Sequence, residues 1–199
     1  MARPEIALRS PIPIVGDVIS SPAEYDDFNY TYTSPWAIGF NGRSSTCCVL
    51  STNGIVGIAP VYANAYTNAQ MGATGQTGAA VNAAFPFWDD LLIAKGLPQG
   101  IFYQVEGTTG NRSVTFEWYT TKYNNTINYA HFLVTFYEAL PSWVTFEYVL
   151  HCSQFFPQDH DTDFWPSYLN MTDSGISATV GIASNLRTGS EYKLIQSVP

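Results

Sequence analysis

The chain contains few charged residues, and basic residues are the scarcest. Only 12% of its 199 residues are charged, against a usual share of roughly 25%, and 8 basic side chains face 16 acidic ones. Nucleic-acid binding needs a basic patch, which scattered Lys and Arg residues do not supply. Anionic membranes would repel the chain for the same reason. We therefore expect no nucleic-acid partner and no attachment to an anionic membrane surface.

Long apolar runs are also missing. No run approaches the ~18 residues that span a bilayer, so no membrane span is expected. Residues 1–5 lack the apolar stretch of a signal peptide. Either the protein is cytosolic or a signal was removed, and the family resemblance described below favours removal.

Cysteine is scarce. The three cysteines are Cys47, Cys48 and Cys152, so at least one is unpaired within the chain. Adjacent residues of a strand face opposite sides, so at most one of Cys47 and Cys48 suits Cys152 as a disulfide partner. One disulfide to Cys152 and three free thiols both remain open. A metal site is disfavoured because no ligand pair has zinc spacing.

Apolar and aromatic residues, in contrast, are abundant and follow a strand pattern. The chain is 46% hydrophobic and 15% aromatic, which suits one large β domain. Apolar side chains alternate along Ser113–Tyr119, Ala130–Glu138 and Trp143–Leu150, and Asn53-Gly54 marks a hairpin between two apolar runs. We predict an all-β fold, an antiparallel β-sandwich of jelly-roll type.

The chain divides into an arm and a sandwich. Five prolines punctuate residues 1–35, which predicts an extended Pro-rich N-terminal arm with at most one edge strand. That arm could lie along its own domain or reach the sheet edge of a neighbour. Residues 36–199 form the predicted sandwich domain. Within it, residues 63–84 are rich in Ala, Gly, Asn and Thr, which predicts either a long surface loop or a disordered linker.

The segment Phe85–Leu91 places three large aromatics before two adjacent acids, Asp89 and Asp90. Aromatics demand burial, whereas unpaired carboxylates cannot enter an apolar core. The segment should therefore be a core strand that ends at a polar rim. Asp89 and Asp90 could bind calcium or sugar hydroxyls there, but we favour the interpretation that they fix a structural corner.

A second acidic patch alternates like the first half of a calcium loop, at Asp159, Asp161 and Asp163. Phe164 and Asn170 stand where an EF-hand requires Gly and Glu, so that motif is excluded. An irregular calcium site is one hypothesis and a solvated acidic loop the other. No other cofactor is indicated.

Catalytic motifs are absent: there is no Gly-x-Ser-x-Gly elbow and no His-Glu-x-x-His run. His131 and His151 are expected to be structural. Glu117 and Glu147 could form a glycosidase pair only within a cleft. Thr115 and Thr145 beside them favour an ordinary solvated sheet face, so an enzyme is not expected.

Exposed aromatics and sequons supply the remaining candidates. Aromatics on a polar face or rim can stack on sugars or anchor a protein partner, although most aromatics fill the core. The aromatic candidates are Tyr119, Tyr123, Tyr129, Tyr137 and Trp143. The sequons lie at Asn29, Asn111, Asn124 and Asn170, and they would carry glycans only in a secreted eukaryotic protein.

Five segments occur in a familiar order: WAIGFNGRSSTCCVLSTNGIVGI, AFPFWDDL, GIFYQVEGTTGNRSVTFEW, FLVTFYEALPSWVTFEYV and ATVGIASN. Over residues 36–196 the chain resembles the secreted β-sandwich module of bacterial and fungal surface proteins and extracellular proteases. It is also similar to the NIDO domain of nidogen-like matrix proteins. It departs at Asn41, where an aromatic is usual, and at 157–175, a longer and more acidic loop. Residues 1–35 lie outside the resemblance.

This resemblance implies an extracellular or cell-surface location and an adhesive or accessory role without shared catalytic residues. We therefore expect a non-enzymatic adhesion or recognition module that binds a glycan or an extracellular protein. One alternative is a structural subunit of a filament, coat or cell wall, self-assembled through the N-terminal arm. A carbohydrate-active enzyme is the second alternative.

Overall fold

The computed structural model describes residues 6–40, 43–58, 66, 82–141, 143–149, 168–173, 176–184 and 192–197. All regular secondary structure in these ranges is β-strand, which confirms the all-β prediction. The strands are β1 Ile12–Gly16, β2 Tyr25–Asp26, β3 Asn29–Phe40, β4 Arg43–Ser51, β5 Ile55–Ile58, β6 Asn82–Trp88, β7 Leu91–Ile93, β8 Gly100–Thr108, β9 Asn111–Lys122, β10 Asn125–Tyr137, β11 Val144–Val149, β12 Tyr168–Asp173, β13 Ile176–Ser184 and β14 Tyr192–Ser197.

These strands form two packed sheets, as the sandwich prediction requires. Sheet A has the order β1-β8-β9-β10-β11-β14, with β7 paired to β9 and β2 paired to β7. Sheet B has the order β12-β13-β6-β5-β4-β3. One described pair departs from the antiparallel prediction, since β14 runs parallel to β11. The chain visits sheet B for β12 and β13 before it returns to sheet A, so no hairpin joins the parallel pair.

The core lies between the two sheets and is built from alternating aromatic side chains. Trp118 of β9 stacks on Phe132 of β10, with ring centroids 5.4 Å apart. Phe87 of β6 stacks on the same Phe132 from the opposite sheet, at 5.3 Å. The predicted core strand at Phe85–Leu91 is therefore confirmed. It begins earlier than expected, at Asn82, so residues 82–84 belong to a strand and not to the predicted surface loop.

The predicted Asn53-Gly54 hairpin joins β4 to β5. Gly54 has a φ of +73°, and a Cβ at this position would lie 2.0 Å from the carbonyl oxygen of Phe87. Only glycine fits this turn, because both the backbone angle and the space exclude a side chain. Asn53 does not share the positive φ; its side chain is instead fully buried.

Two complete strands and the first seven residues of β3 come from residues 1–35, the segment expected to form the arm. β1 pairs with β8 of its own chain, with Ile12 opposite Tyr103, and β2 pairs with β7. Residues before β1 continue onto the outer face of sheet A, where Ala7 and Leu8 donate backbone N–H bonds to Glu117. Glu117 is fully buried. The expectation of a solvated Glu117 was wrong, because strand alternation does not show what covers the outer face.

The β8–β9 turn and the end of β10 form one end of the sandwich. Arg112 and Glu138 make two side-chain hydrogen bonds of 2.7 and 2.6 Å, and the Arg112 guanidinium lies 4.9 Å from the centre of the Trp36 ring. Hydrogen bonds from Arg112 hold the pKa of Glu138 at about 2. Asp89 and Asp90 lie at the other end of β9, beside Lys122.

Candidate functional site

Four segments meet at this second end of the sandwich. The end of β6 carries Asp89 and Asp90, and Leu91 of β7 then pairs with Lys122 at the end of β9. On the other side, β2 pairs with β7, which places Asp26 opposite Leu92. The β4–β5 turn completes the group, because the Thr52 N–H donates to the carbonyl oxygen of Phe28 at 3.0 Å.

The side chain of Asn53 links these segments through hydrogen bonds. Its Nδ2 donates to Asp27 Oδ1 at 2.7 Å, and its Oδ1 accepts the N–H of Leu91 at 3.0 Å. One fully buried amide thus fixes both Asp27 and the start of β7. Sequence reasoning missed this role, because Asn-Gly was interpreted only as turn chemistry.

Asp89 and Asp90 occupy different environments. Asp89 is buried and accepts bonds from Lys122 Nζ at 3.0 Å and from the Asp90 N–H at 2.9 Å, the arrangement of a corner residue. Burial raises the pKa of Asp89, while the Asp90 N–H and Lys122 oppose that rise. Asp90 is half-buried and faces two further acids. Its own pKa is raised by burial and then by Asp27 and Asp89.

Three carboxylates therefore converge at the rim. Asp26, Asp27 and Asp90 each offer an oxygen atom within 4.8 Å of the others. Burial, followed by the charges of Asp27 and Asp90, raises the pKa of Asp26. The buried Asp26 Oδ1 has no hydrogen-bond partner in the described part of the chain. Closely spaced carboxylates are suited to a hard cation or to hydroxyl donors.

Two exposed aromatic residues are neighbours of these acids along the backbone. Phe28 is 52% exposed and directly follows Asp27, and Tyr123 is 41% exposed. The Tyr123 N–H donates to the Asp90 carbonyl oxygen at 2.9 Å, which ties the two residues together. We call Asp26, Asp27, Asp90, Phe28 and Tyr123 the acidic rim.

The other predicted aromatics do not join the rim. Tyr119 is buried and makes an edge-on contact with the half-buried Tyr129, with ring centroids 5.6 Å apart. Tyr137 is half-buried and its hydroxyl bonds Thr145 at 3.1 Å, and Trp143 is also half-buried. Of the five aromatic candidates, Tyr123 is the one that the structure places beside the acids.

The cysteines and sequons are only partly described. Cys47 and Cys48 are free thiols on opposite faces of β4, and burial raises the pKa of Cys48 to about 12. Asn111 and Asn124 are exposed at hairpin ends, and Asn29 is half-buried on β3. Asn170 lies in β12. The remaining candidates, Cys152, Asp159, Asp161 and Asp163, lie outside the described residues.

Comparison with known proteins gives one match. A family model described as NIDO related matches residues 11–198, which confirms the resemblance. The match begins at residue 11 and so includes β1 and β2. No curated protein and no solved structure matches the chain. In the described ranges no helix is long and apolar enough to cross a membrane.

Proposed function

The chain belongs to the NIDO-related family, and from that membership we propose that it is an extracellular, non-enzymatic module for adhesion or recognition that binds a glycan through the acidic rim. One observation carries the choice of ligand: three carboxylates face one another, exposed Phe28 follows Asp27 in the chain, and exposed Tyr123 is bonded through its N–H to the Asp90 carbonyl oxygen. A sugar ring presents C–H groups that pack on an aromatic face, and hydroxyls that donate to carboxylates.

The charge arrangement supports a ligand at this place. Lys122 salt-bridges Asp89 at 3.0 Å and not the facing acids. Asp26, Asp27 and Asp90 are like charges that face one another. Burial first, and then these neighbouring charges, raise the pKa of Asp26 and of Asp90, while Lys122 opposes the rise at Asp90. Because repulsion between these like charges destabilises the ligand-free protein, a cation or hydroxyl donors bound at the three acids should stabilise the fold.

Calcium is the cation we propose for this position. Calcium takes 6–8 oxygen ligands, and carboxylates on flexible rims are common among them. The three acids would supply part of that shell, leaving positions for water or for sugar hydroxyls. A protein ligand could also bind exposed aromatic and acidic side chains. Binding assays must therefore compare glycan ligands with protein ligands.

Removing one rim charge tests the calcium site. Without calcium at pH 7, Asp90→Asn is expected to raise the melting temperature by about 2 °C, because it relieves repulsion. The folded pKa of Asp90 lies above its ordinary 3.8, so ionisation costs stability as pH rises through that folded pKa. The gain should therefore be full at pH 7 and vanish below pH 3.8.

Calcium should reverse the ranking in the same thermal melts. At millimolar calcium the wild type is expected to gain several degrees by ligand linkage, whereas Asp90→Asn gains little. Glu106→Gln is the matched control, since it removes one exposed acid from β8, near the Arg112 end of the sandwich. Equal calcium responses in the wild type and Asp90→Asn would contradict the site.

Glycan binding is tested by removing the aromatic contact. Tyr123→Ala is expected to weaken binding to the best ligand of a glycan array by about tenfold, the cost of losing one packed aromatic anchor. Leu140→Ala is the control, because Leu140 is also an exposed apolar side chain, at 53%, but follows β10 at the other end of the sandwich. Recovery of the bound glycan unaltered supports recognition. Turnover, or equal binding by Tyr123→Ala, contradicts the proposal.

A further inference from the structure

A second polar site lies on the outer face of sheet A, away from the core. Glu117 of β9 and His131 of β10 are both buried, and Glu117 Oε1 lies 2.5 Å from His131 Nε2. Alternation places Phe116 and Trp118 in the core, so Glu117 between them faces outward. A buried carboxylate requires hydrogen-bond donors, and one imidazole does not satisfy both of its oxygens.

The remaining donors come from the chain segment before β1. The Ala7 N–H donates to Glu117 Oε1 at 2.6 Å, and the Leu8 N–H donates to Oε2 at 3.1 Å. Two residues later the Ser10 N–H donates to Gln104 Oε1 at 2.8 Å. All three donors are main-chain groups, so these contacts recognise the backbone of an extended peptide and not its side chains.

Apolar side chains lie beside these hydrogen-bonding groups. Phe102 of β8 and Leu133 of β10 lie opposite Glu117 in the strand register, and both are buried although neither belongs to the core between the sheets. The buried His131 Nδ1 has no hydrogen-bond partner among the described residues. We call Phe102, Gln104, Glu117, His131 and Leu133 the outer-face groove.

We propose that the outer-face groove is a peptide-binding site that exchanges its occupant, so that residues 6–16 of a second copy replace the chain's own residues 6–16. The second copy carries the same backbone donors at Ala7 and Leu8. Its β1 would pair with β8 through the register seen within one chain. Exchange of identical elements is a low-cost route to a dimer, because each contact is remade. This dimer is independent of the acidic rim.

The segment that follows β1 has the features of a hinge. Asp17 accepts the Ile19 N–H at 2.7 Å, which closes a tight turn. Ile19 is 80% exposed, and the neighbouring Val18 is also exposed. These two adjacent apolar side chains are therefore accessible to a partner chain. In a reciprocal exchange the two hinges meet near the two-fold axis, where Val18 and Ile19 would contact their counterparts.

Two full-length variants test the exchange by complementation. The double substitution Ala7→Pro, Leu8→Pro removes both N–H donors to Glu117 and frees this part of the groove, while the Ser10–Gln104 bond and the β1–β8 pairing remain. Glu117→Gln disables the groove but leaves the segment intact. Each variant alone should elute as a monomer, whereas an equimolar mixture should yield a species of about twice the monomer mass by light scattering, with one copy of each variant.

A triple variant carrying all three changes is the control partner, because it has neither groove nor donors. A purely monomeric mixture of the first two variants would overturn the proposal, and so would dimerisation with the triple variant. If a variant fails to fold by near-ultraviolet circular dichroism, a synthetic peptide of residues 6–16 replaces the donor chain. That peptide should bind the Ala7→Pro, Leu8→Pro variant, whose groove is free at Glu117, and N-methylation of the peptide at Ala7 and Leu8 should abolish binding; binding that survives N-methylation contradicts the proposal. Glycan binding at the acidic rim is measured separately, because the dimer is independent of the rim.

Discussion

Trp118→Ala should lower the free energy of unfolding by about 3–5 kcal/mol, the usual cost of deleting a buried tryptophan side chain. Trp118 is fully buried in the middle of β9 and stacks on Phe132 at 5.4 Å. Its Nε1–H also donates to the Ser51 carbonyl oxygen across the sandwich at 2.9 Å. Both the packing and this inter-sheet bond are lost. Urea unfolding followed by circular dichroism measures the change.

The hydrogen bond can be separated from the packing by conservative variants. Trp118→Phe keeps a stacked ring but removes one of the two donors to the Ser51 carbonyl oxygen, which still accepts the Gly54 N–H at 3.2 Å, so we expect the loss of one hydrogen bond, about 1 kcal/mol. Trp36→Phe is the matched control, because Trp36 Nε1 is buried without a hydrogen-bond partner in the described structure. Trp36→Phe should cost less than Trp118→Phe. An equal cost for both would show that the Ser51 bond adds no stability.

The fold class could be predicted because burial acts on each strand locally. In β9, Val114, Phe116 and Trp118 all point into the core, as their spacing of two predicts. Similarly, Phe132 and Phe136 of β10 face the same core. The five segments that resemble the NIDO domain added their order along the chain to this pattern. The parallel pairing of β11 and β14 could not be predicted, since it depends on how the chain returns from sheet B.

The acidic rim could be predicted only in part. Asp90 and Tyr123 were candidates for separate reasons, but nothing in their neighbourhoods indicates that they share a backbone hydrogen bond. Asp26 and Asp27 were not candidates, because they reach Asp90 through the two-residue strand β2. Such a short strand has no detectable periodicity. Glu117 illustrates the same limit, since its cover comes from residues 7 and 8, far away in sequence.

Asn53→Ala is expected to show the second large effect, on stability and on ligand binding together. The substitution leaves the Leu91 N–H buried without an acceptor, and an unsatisfied buried group costs about 1–3 kcal/mol. It also frees the Asp27 carboxylate, which Asn53 Nδ2 holds at 2.7 Å. We therefore expect a loss of about 2–3 kcal/mol in unfolding free energy, and weaker calcium and glycan binding in the same assays.

Asn53→Asp separates the two roles of this amide. An aspartate still accepts the Leu91 N–H, so the start of β7 should hold, but its second oxygen faces Asp27 Oδ1 where Nδ2 donated. That repulsion should destabilise the calcium-free protein. Millimolar calcium should restore more of the melting temperature in Asn53→Asp than in Asn53→Ala, because only the former keeps the backbone bond. If Asn53→Ala loses stability yet binds calcium and glycan fully, the rim geometry does not depend on Asn53.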